Sequence, residues 1–179
     1  MPKNILVLVG SPKQNGNTEI LADAFIKGAT KNGNNVKKLR VGKMKISGCI
    51  DCKYCFTHDD TCSQRDDMDK IYPLVDDADM IVLATPIYFF SMNAQLKAVV
   101  DRLNAGYKSG YKISKSALLA VASGGDSMFE PLIKMYELIC KYLKWESVGI
   151  ITVGKVENKG DIEGRNELLL AEQLGESIK

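Results

Sequence analysis

The 179-residue sequence has few of the features that mark membrane, secreted or nucleic-acid-binding proteins. No uninterrupted apolar run reaches the length of a membrane span. The chain begins Met1-Pro2-Lys3-Asn4 and goes straight into an apolar run, so we expect no signal peptide. The net charge of +2 is too small to predict binding to nucleic acid. We therefore expect a cytoplasmic protein that binds neither membranes nor nucleic acid.

Histidine is scarce as well, and this removes the commonest general acid or base. His58 is the only one, and it lies in a polar, cysteine-rich segment where we expect it to be solvated. Charged residues make up 26% and hydrophobic residues 45% of the chain, which is typical of a globular protein. The length predicts one domain, residues 1–179, with a substantial core.

The first apolar run leads into a polar loop and then a helix. Residues 5–9 are uncharged and apolar, which is typical of a strand buried on both faces. Residues 10–18 read Gly-Ser-Pro-Lys-Gln-Asn-Gly-Asn-Thr, and apolar residues recur at helical spacing from Glu19 onward. A strand, a tight loop and a helix N-terminus bring backbone N–H groups and the helix dipole to one point. This arrangement predicts an anion site.

The loop matches neither of the two commonest nucleotide-binding loops. Its glycines are separated by five residues rather than four, and Asn17 stands where a P-loop has lysine. The dinucleotide fingerprint G-x-G-x-x-G is absent too. The hydroxyls of Ser11 and Thr18, the cation of Lys13 and the side-chain amides suit a single phosphate monoester. An ordinary turn with Thr18 as the helix cap is the alternative.

The rest of the chain alternates strands with helices. We predict strands at 36–41, 80–84, 117–122 and 148–153. We also predict four more helices: one capped by Asp66 or Asp67, one capped by Ser91, one at 129–143 and one at 162–178. Only the first of these strands carries several charges, which predicts a sheet edge. The pattern predicts a three-layer α/β fold with a five-stranded, doubly wound parallel sheet. In the order 2-1-3-4-5, ligands bind at the carboxyl ends of strands one and three.

Two further loops at that edge have unusual compositions. Residues 85–90 read Thr-Pro-Ile-Tyr-Phe-Phe, and three consecutive aromatics indicate a flat partner unless they simply cover the end of the sheet. Residues 123–126 read Ser-Gly-Gly-Asp, which allows close approach and positive φ or forms a plain turn. A phosphate, a flat ring and a glycine platform together predict flavin mononucleotide (FMN), and the missing dinucleotide fingerprint argues against FAD.

Four segments together resemble the NAD(P)H-dependent FMN reductases of the flavodoxin-like superfamily, and within them the iron-sulfur flavoprotein branch most. These segments are residues 10–18, residues 46–55 (Ile-Ser-Gly-Cys-Ile-Asp-Cys-Lys-Tyr-Cys), residues 66–68 and residues 85–102. The resemblance implies a flavodoxin-like fold and electron transfer from NAD(P)H through FMN to a quinone, free flavin or similar acceptor. It also implies a homodimer or a dimer of dimers.

The resemblance also implies roles for residues that match the family's motifs. It implies that the FMN phosphate is bound by Ser11, Lys13, Gly16, Asn17 and Thr18, that one side of the isoalloxazine is lined by Pro86, Ile87, Tyr88 and Phe89, and that its other side is lined by Ser123, Gly124 and Gly125. The family often has Trp where this chain has Phe89, so the aromatic character is kept but the ring is smaller.

Four of the five cysteines crowd into a long connection at about residues 42–65, with the spacing C-x₂-C-x₂-C-x₆-C: Cys49, Cys52, Cys55 and Cys62. The first three match the spacing of bacterial ferredoxins, whereas the fourth is farther away and has no Pro after it. Zinc sites more usually have two separated C-x₂-C pairs. The resemblance to iron-sulfur flavoproteins implies a [4Fe–4S] cluster, but similar reductases keep these cysteines without one. A cluster, free thiols or a disulfide, and zinc all stay open.

The sequence is compatible with three functions. The first is an FMN-dependent NAD(P)H oxidoreductase, and the second is a cluster-bearing electron carrier fed by ferredoxin. The third is a regulatory module that binds a phosphate ligand without turnover, which the aromatic loop disfavours. A simple flavodoxin is disfavoured because flavodoxins are usually strongly acidic, whereas this chain has a net charge of +2. The fifth cysteine, Cys140, lies on the apolar face of a predicted helix, where we expect a core residue.

Overall fold

A parallel β-sheet with helices on both faces forms the centre of the computed structural model, which describes residues 1–179. The strands are β1 (Asn4–Val9), β2 (Asn35–Leu39), β3 (Met80–Tyr88), β4 (Ser91–Met92), β5 (Lys115–Val121) and β6 (Glu146–Val153). The five parallel strands lie in the order β2-β1-β3-β5-β6, and β4 pairs antiparallel with β3. The predicted order of the parallel strands is therefore confirmed, and β2 lies at an edge as expected.

Five α-helices cover the sheet, and several one-turn 3₁₀ segments lie between the elements. The helices are α1 (Asn17–Lys31), α2 (Tyr72–Asp77), α3 (Ala94–Arg102), α4 (Glu130–Leu143) and α5 (Asn166–Glu176). No helix in the structure is both long enough and apolar enough to cross a membrane.

Alternation along the central strands divides the core into two layers. One face of the sheet, including Leu6 and Leu83, packs against α2, α3 and α4. The other face, including Val7 and Val82, packs against α1 and α5. Because both faces of β1, β3 and β5 are covered, the central residues of these strands are apolar, as the sequence indicated.

Helix α1 begins two residues earlier than predicted. Gly16 occupies its N-cap position and Asn17 its first turn, so the alternative in which Thr18 caps the helix is wrong. The last helix begins at Asn166, later than the predicted Ile162, whose side chain is buried in the preceding turn. The apolar pattern missed both starts because Asn17 and Thr18 are polar residues inside α1, whereas Ile162 is an apolar residue outside α5.

The segment 85–90, predicted as a loop after the strand at 80–84, is part of a β-hairpin. Strand β3 continues to Tyr88 because its pairing with β5 extends to Pro86, which lies opposite Val121. Ser91 therefore lies in β4 and does not cap α3; Asn93 occupies that position. Non-local pairing of this kind leaves no signal in the local sequence.

Asp66 caps a helix as predicted, because its carboxylate accepts a hydrogen bond from the Met68 N–H at 2.9 Å. The helix is divided, however, into a 3₁₀ segment at Asp67–Lys70 and the α-helix α2. Pro73 has no N–H to donate, so it is tolerated in the first turn of α2 but not inside a longer helix.

Candidate functional site

The three loops singled out in the sequence meet at the carboxyl edge of the sheet. In the parallel register Val9 lies opposite Ala84, and Pro86 lies opposite Val121. Residues 10–18, 85–90 and 123–126 therefore leave three adjacent strands at the same end. This is the edge at which open α/β sheets bind ligands.

The loop after β1 is a cradle of unused hydrogen-bond donors. Several of its backbone N–H groups donate to no protein group, namely those of Ser11, Gln14, Asn17, Thr18 and Glu19. Thr18 is only 2% exposed, and its hydroxyl hydrogen-bonds to no protein group either. The first N–H groups of a helix have no partner within the helix, and a phosphate at the N-terminus of α1 would accept hydrogen bonds from them and face the positive end of the helix dipole. The cradle therefore fits the FMN phosphate.

The other predicted residues of this loop contribute unequally. Gly16 keeps the loop tight, because a Cβ there would lie 3.2 Å from the Lys13 carbonyl oxygen. Lys13 is exposed and forms no ion pair. The Asn17 side chain is already engaged, since its Nδ2 donates to the Asn158 carbonyl at 2.8 Å and its Oδ1 accepts from the Gly160 N–H at 3.0 Å. Asn17 therefore offers the cradle only its backbone N–H.

A buried carboxylate that the sequence analysis missed stabilises the same loop. Glu19 accepts a hydrogen bond from the Asn15 N–H at 2.7 Å and contacts Lys38 and Arg40 at 3.1 and 3.4 Å. Burial alone would raise the pKa of Glu19, but the Asn15 N–H and the two cations together hold that pKa below its usual value. A glutamate three residues after the N-cap is the spacing of a capping box, which was a usable signal.

The aromatic hairpin presents its tip to solvent. Tyr88 pairs with Ser91, so the turn consists of Phe89 and Phe90, with φ of 46° and 64°. Phe89 is 98% exposed, and Tyr88 and Phe90 are about half exposed. Two-residue hairpin turns need positive φ at both positions and normally use Asn or Gly. Of the four residues expected to line the flavin ring, Tyr88 and Phe89 are free to do so, whereas Ile87 is buried and Pro86 partly buried.

Asn93 joins the hairpin to the phosphate cradle, a role that the sequence analysis missed. Its Nδ2 donates to the Gly10 carbonyl at 2.7 Å, and its backbone N–H donates to the Thr85 hydroxyl at 3.1 Å. Asn93 and Thr85 are fully buried. A Cβ on Gly10 would lie 2.2 Å from the Asn93 Oδ1, so the close approach requires glycine there. An asparagine before a helix resembles a cap, and the sequence does not distinguish the two roles.

The glycine loop after β5 does not use the positive φ that its glycines allow, and its backbone angles are those of an ordinary turn. Gly125 has φ −84°, and Gly124 is not among the glycines with positive φ. The Lys155 N–H holds the loop by donating to the Gly124 carbonyl at 2.9 Å. A Cβ on Gly125 would meet nothing within 4 Å, and Ser123 is exposed. Together they form an open surface that a planar ring could approach.

All four clustered cysteines line one small cavity beside the C-terminal end of α3. The cysteines are free thiols, and no three His, Cys, Asp or Glu side chains are placed to hold a metal ion. Burial and the three other thiols raise the pKa of Cys55, whereas a hydrogen bond with Ser63 lowers the pKa of Cys52. Four sulfurs are the donor set of iron-sulfur and structural zinc sites, so the residues fit such a centre in kind, although the structure does not bring them to ligating positions.

The two remaining residues of interest have the surroundings expected of them. His58 is exposed and stacks on Tyr54, with their ring centroids 3.6 Å apart, in the cysteine segment. Cys140 is buried in the core and lies 3.2 Å from the Ser116 hydroxyl.

Comparisons with known proteins agree with this geometry. An iron-sulfur flavoprotein of Archaeoglobus fulgidus is 31% identical over 175 residues, which cover 96% of this chain and 76% of that protein. One of Methanosarcina thermophila is 30% identical over 116 residues, covering 65% of this chain and 60% of that protein.

Solved structures show the same fold. The NAD(P)H:quinone oxidoreductase from Methanothermobacter marburgensis superposes with a TM-score of 0.73 and 17% identity, covering 98% of this chain and 96% of that one. Residues 3–154, which contain the three loops at the sheet edge and the cysteines, match the family described as NADPH-dependent FMN reductase. This chain is therefore an oxidoreductase that belongs to the NADPH-dependent FMN reductase family.

Proposed function

We propose that the protein uses bound FMN to pass electrons from NAD(P)H to a quinone, free flavin or similar small acceptor. The observation that carries the proposal is the cradle of unpaired N–H groups at the same sheet edge as an exposed aromatic hairpin. FMN supplies the redox chemistry, accepting a hydride and passing on electrons. The protein binds and orients the flavin and the nicotinamide that approaches it.

Each loop has one task in this proposal. The N–H groups of the cradle and the hydroxyls of Ser11 and Thr18 hold the phosphate, and Lys13 adds positive charge. Tyr88 and Phe89 pack against the isoalloxazine ring from the hairpin, and Ser123–Gly125 form its other side. Asn93 keeps the cradle and the hairpin at a fixed separation. The two substrates then bind in turn over the ring.

The test is an FMN titration of the flavin-free protein with a matched pair of threonine variants in helix α1. Thr18→Val removes a hydroxyl from the cradle, whereas Thr30→Val makes the same change at an exposed position of that helix. A hydrogen bond to a charged group contributes about 1.5–3 kcal/mol, so we expect Thr18→Val to weaken FMN binding by at least about tenfold and Thr30→Val to leave it unchanged. Failure of the wild-type protein to bind FMN would refute the proposal. Stopped-flow reduction by NADH and by NADPH then identifies the preferred nicotinamide.

A second candidate function is supported by the cavity that the four cysteines line. In this version Cys49, Cys52, Cys55 and Cys62 hold a [4Fe–4S] cluster, and the protein carries electrons received from ferredoxin. Its test is an assay of iron and acid-labile sulfide on anaerobically purified protein, together with reduction by ferredoxin or NAD(P)H. About four of each per chain, with reduction by ferredoxin alone, would favour the carrier. Flavin without iron would favour the reductase.

We propose further that residues 1–179 form a single FMN-binding domain that works in the cytoplasm as a homodimer or dimer of dimers. A groove of about 1390 Å³ between α3 and α4 supports the dimer. Its floor is apolar, with Leu138 and Tyr142 strongly exposed, and its edges carry both lysines and aspartates: Asp51, Lys97, Asp101, Lys134 and Lys141. A two-fold interface joins a patch to itself, so mixed charges on one patch suit a second copy of this chain.

A further inference from the structure

A buried arginine lies where the cysteine segment begins and ends. Arg102, the last residue of α3, is only 2% exposed. Its Nη1 donates to the Ser47 carbonyl at 3.1 Å, two residues before the first cysteine of the segment. Its Nη2 donates to the Gln64 carbonyl at 3.2 Å, two residues after the last. One planar guanidinium therefore binds both ends of the segment.

Asp66 completes this connection. Its Oδ2 accepts from Arg102 Nη1 at 2.9 Å and from the Ser47 N–H at 3.0 Å. Residues 47–48 and 64–66 thus form a neck at which the two ends of the segment meet. The Gln64 side chain adds to this neck by donating to the Gly48 carbonyl at 3.0 Å. Between these contacts the cysteines lie in an exposed segment with little regular structure. Lys45 and Asp67 join the chain just outside this neck by two further hydrogen bonds, so Arg102 and Asp66 form its part nearest the cysteines.

Arg102 also lines the cavity that the four cysteines share. Its Nε donates to the Tyr72 hydroxyl at 3.3 Å, which fixes the plane of the guanidinium. A buried charge is costly unless it is paired and hydrogen-bonded, and Arg102 has Asp66, two carbonyls and the Tyr72 hydroxyl as partners, which fix its position. A centre with four thiolate ligands carries net negative charge, and a permanent cation at its wall would offset that charge.

We propose that Arg102 is the positioning residue of the four-cysteine centre, holding Cys49 and Cys62 at one cavity through the neck at Ser47, Gln64 and Asp66. This inference rests on the proposal that the cysteines act together as a metal or cluster site. Helix α3 thus carries Asn93 before its first turn for the flavin loops and Arg102 in its last turn for the cysteine segment.

The test uses the full-length protein and Co²⁺ alone as the probe. Cobalt bound by thiolates gives a charge-transfer absorption whose intensity reports how many sulfurs bind it. Two variants break the neck differently: Arg102→Lys keeps the charge but loses the planar fork, and Asp66→Asn keeps the helix cap but loses the ion pair. The matched control is Arg65→Lys, because Arg65 is exposed in the same segment and pairs only with Asp69. FMN affinity is measured on every variant as a check on the fold.

We expect both neck variants to bind Co²⁺ at least about tenfold more weakly, with lower absorption per cobalt, while their FMN affinity stays within about twofold of wild type. The control should match the wild type in both measurements. Wild-type cobalt binding in both neck variants would overturn the inference. So would a parallel loss of FMN binding, which would make Arg102 a residue of the general fold. If the wild-type protein itself binds no cobalt through sulfur, the four-cysteine centre fails and the inference fails with it.

Discussion

The tip of the aromatic hairpin combines strain with exposure in a single residue. Phe89 has φ of 46° and is 98% exposed, so its ring stabilises nothing in the protein. A non-glycine residue in this conformation costs on the order of 1 kcal/mol. Strained residues cluster at binding sites, and at Phe89 the strain falls on an exposed aromatic ring, which supports a role for that ring in binding.

We therefore expect Phe89→Gly to change folding and binding in opposite directions. It should raise the free energy of unfolding of the flavin-free protein by about 1 kcal/mol in urea, because the strain is relieved. It should weaken FMN binding by about fivefold to tenfold, because a stacked ring contributes about 1 kcal/mol. Lys144→Gly is the control, since Lys144 has φ of 58° at the end of α4 and should only stabilise. Unchanged FMN affinity in Phe89→Gly would show that the ring does not contact the flavin.

Glu19 gives the fold a measurable dependence on pH. Its pKa in the folded protein lies below the ordinary value of 4.5 because the Asn15 N–H, Lys38 and Arg40 outweigh its burial. A group with a lowered folded pKa stabilises the fold above its unfolded pKa, and that stabilisation is lost as the pH falls through the folded value. The nearby Asp23 also binds Lys38, so it shares this cation.

The prediction that follows compares the free energy of unfolding of the wild type with that of Glu19→Gln. At pH 7 we expect the free energy of unfolding of the variant to be about 1–2 kcal/mol lower than that of the wild type, since the charged hydrogen bond and ion pairs are lost. This difference should shrink as the pH falls below about 4.5 and the wild-type carboxylate takes up its proton. Urea unfolding at several pH values measures the difference. A constant difference across the range would mean that the charge of Glu19 contributes nothing.

At the scale of elements, the sequence predicted those features that depend on local pattern. The three central strands were evident because each contains an unbroken run of uncharged, mostly apolar residues, as strands buried on both faces do. The hairpin formed by β3 and β4 was missed because its turn is Phe89-Phe90, which lacks the Asn or Gly that marks a two-residue hairpin turn. The cradle was located from its strand, loop and helix, but nothing local revealed that Asn17 is engaged by residues 158–160.

Asn93 links three elements, and its removal should affect all of them. Asn93→Ala would leave the Gly10 carbonyl without its side-chain donor, whereas the Thr85 hydroxyl would keep the N–H of residue 93 and the Pro86 carbonyl as partners. An unsatisfied buried polar group costs about 1–3 kcal/mol, so we expect the free energy of unfolding to fall by about that amount. FMN binding should weaken as well, because the hairpin is no longer fixed to the cradle.

Gln95→Ala is the control for this substitution, since Gln95 is exposed and its side chain forms one hydrogen bond, accepted by its Oε1 from the Asn93 Nδ2. It should change stability by less than about 0.5 kcal/mol. If Asn93→Ala lowered stability but left FMN affinity intact, the bridge would serve the fold alone.

At the scale of the whole molecule, one short helix separates two candidate sites. Helix α3 has 9 residues, a length of about 13 Å. The aromatic hairpin and the loop after β1 lie at its N-terminal end, and the cysteine cavity lies at its C-terminal end, beside the apolar groove between α3 and α4. Cys49 and Asp51 line the edge of that groove. An interface formed there would therefore also cover part of the cysteine segment.

The groove leads to a prediction about assembly. Leu138 of α4 is 54% exposed on this face, whereas Leu169 of α5 is 52% exposed on the opposite side of the sheet. We expect Leu138→Glu to convert the assembly to monomers at micromolar concentration, because a charge in the centre of an apolar interface loses its hydration. Leu169→Glu should leave the assembly unchanged. Sedimentation velocity of both variants and the wild type measures the effect. A monomeric wild type would refute the dimer, and an intact dimer in Leu138→Glu would place its interface on another face.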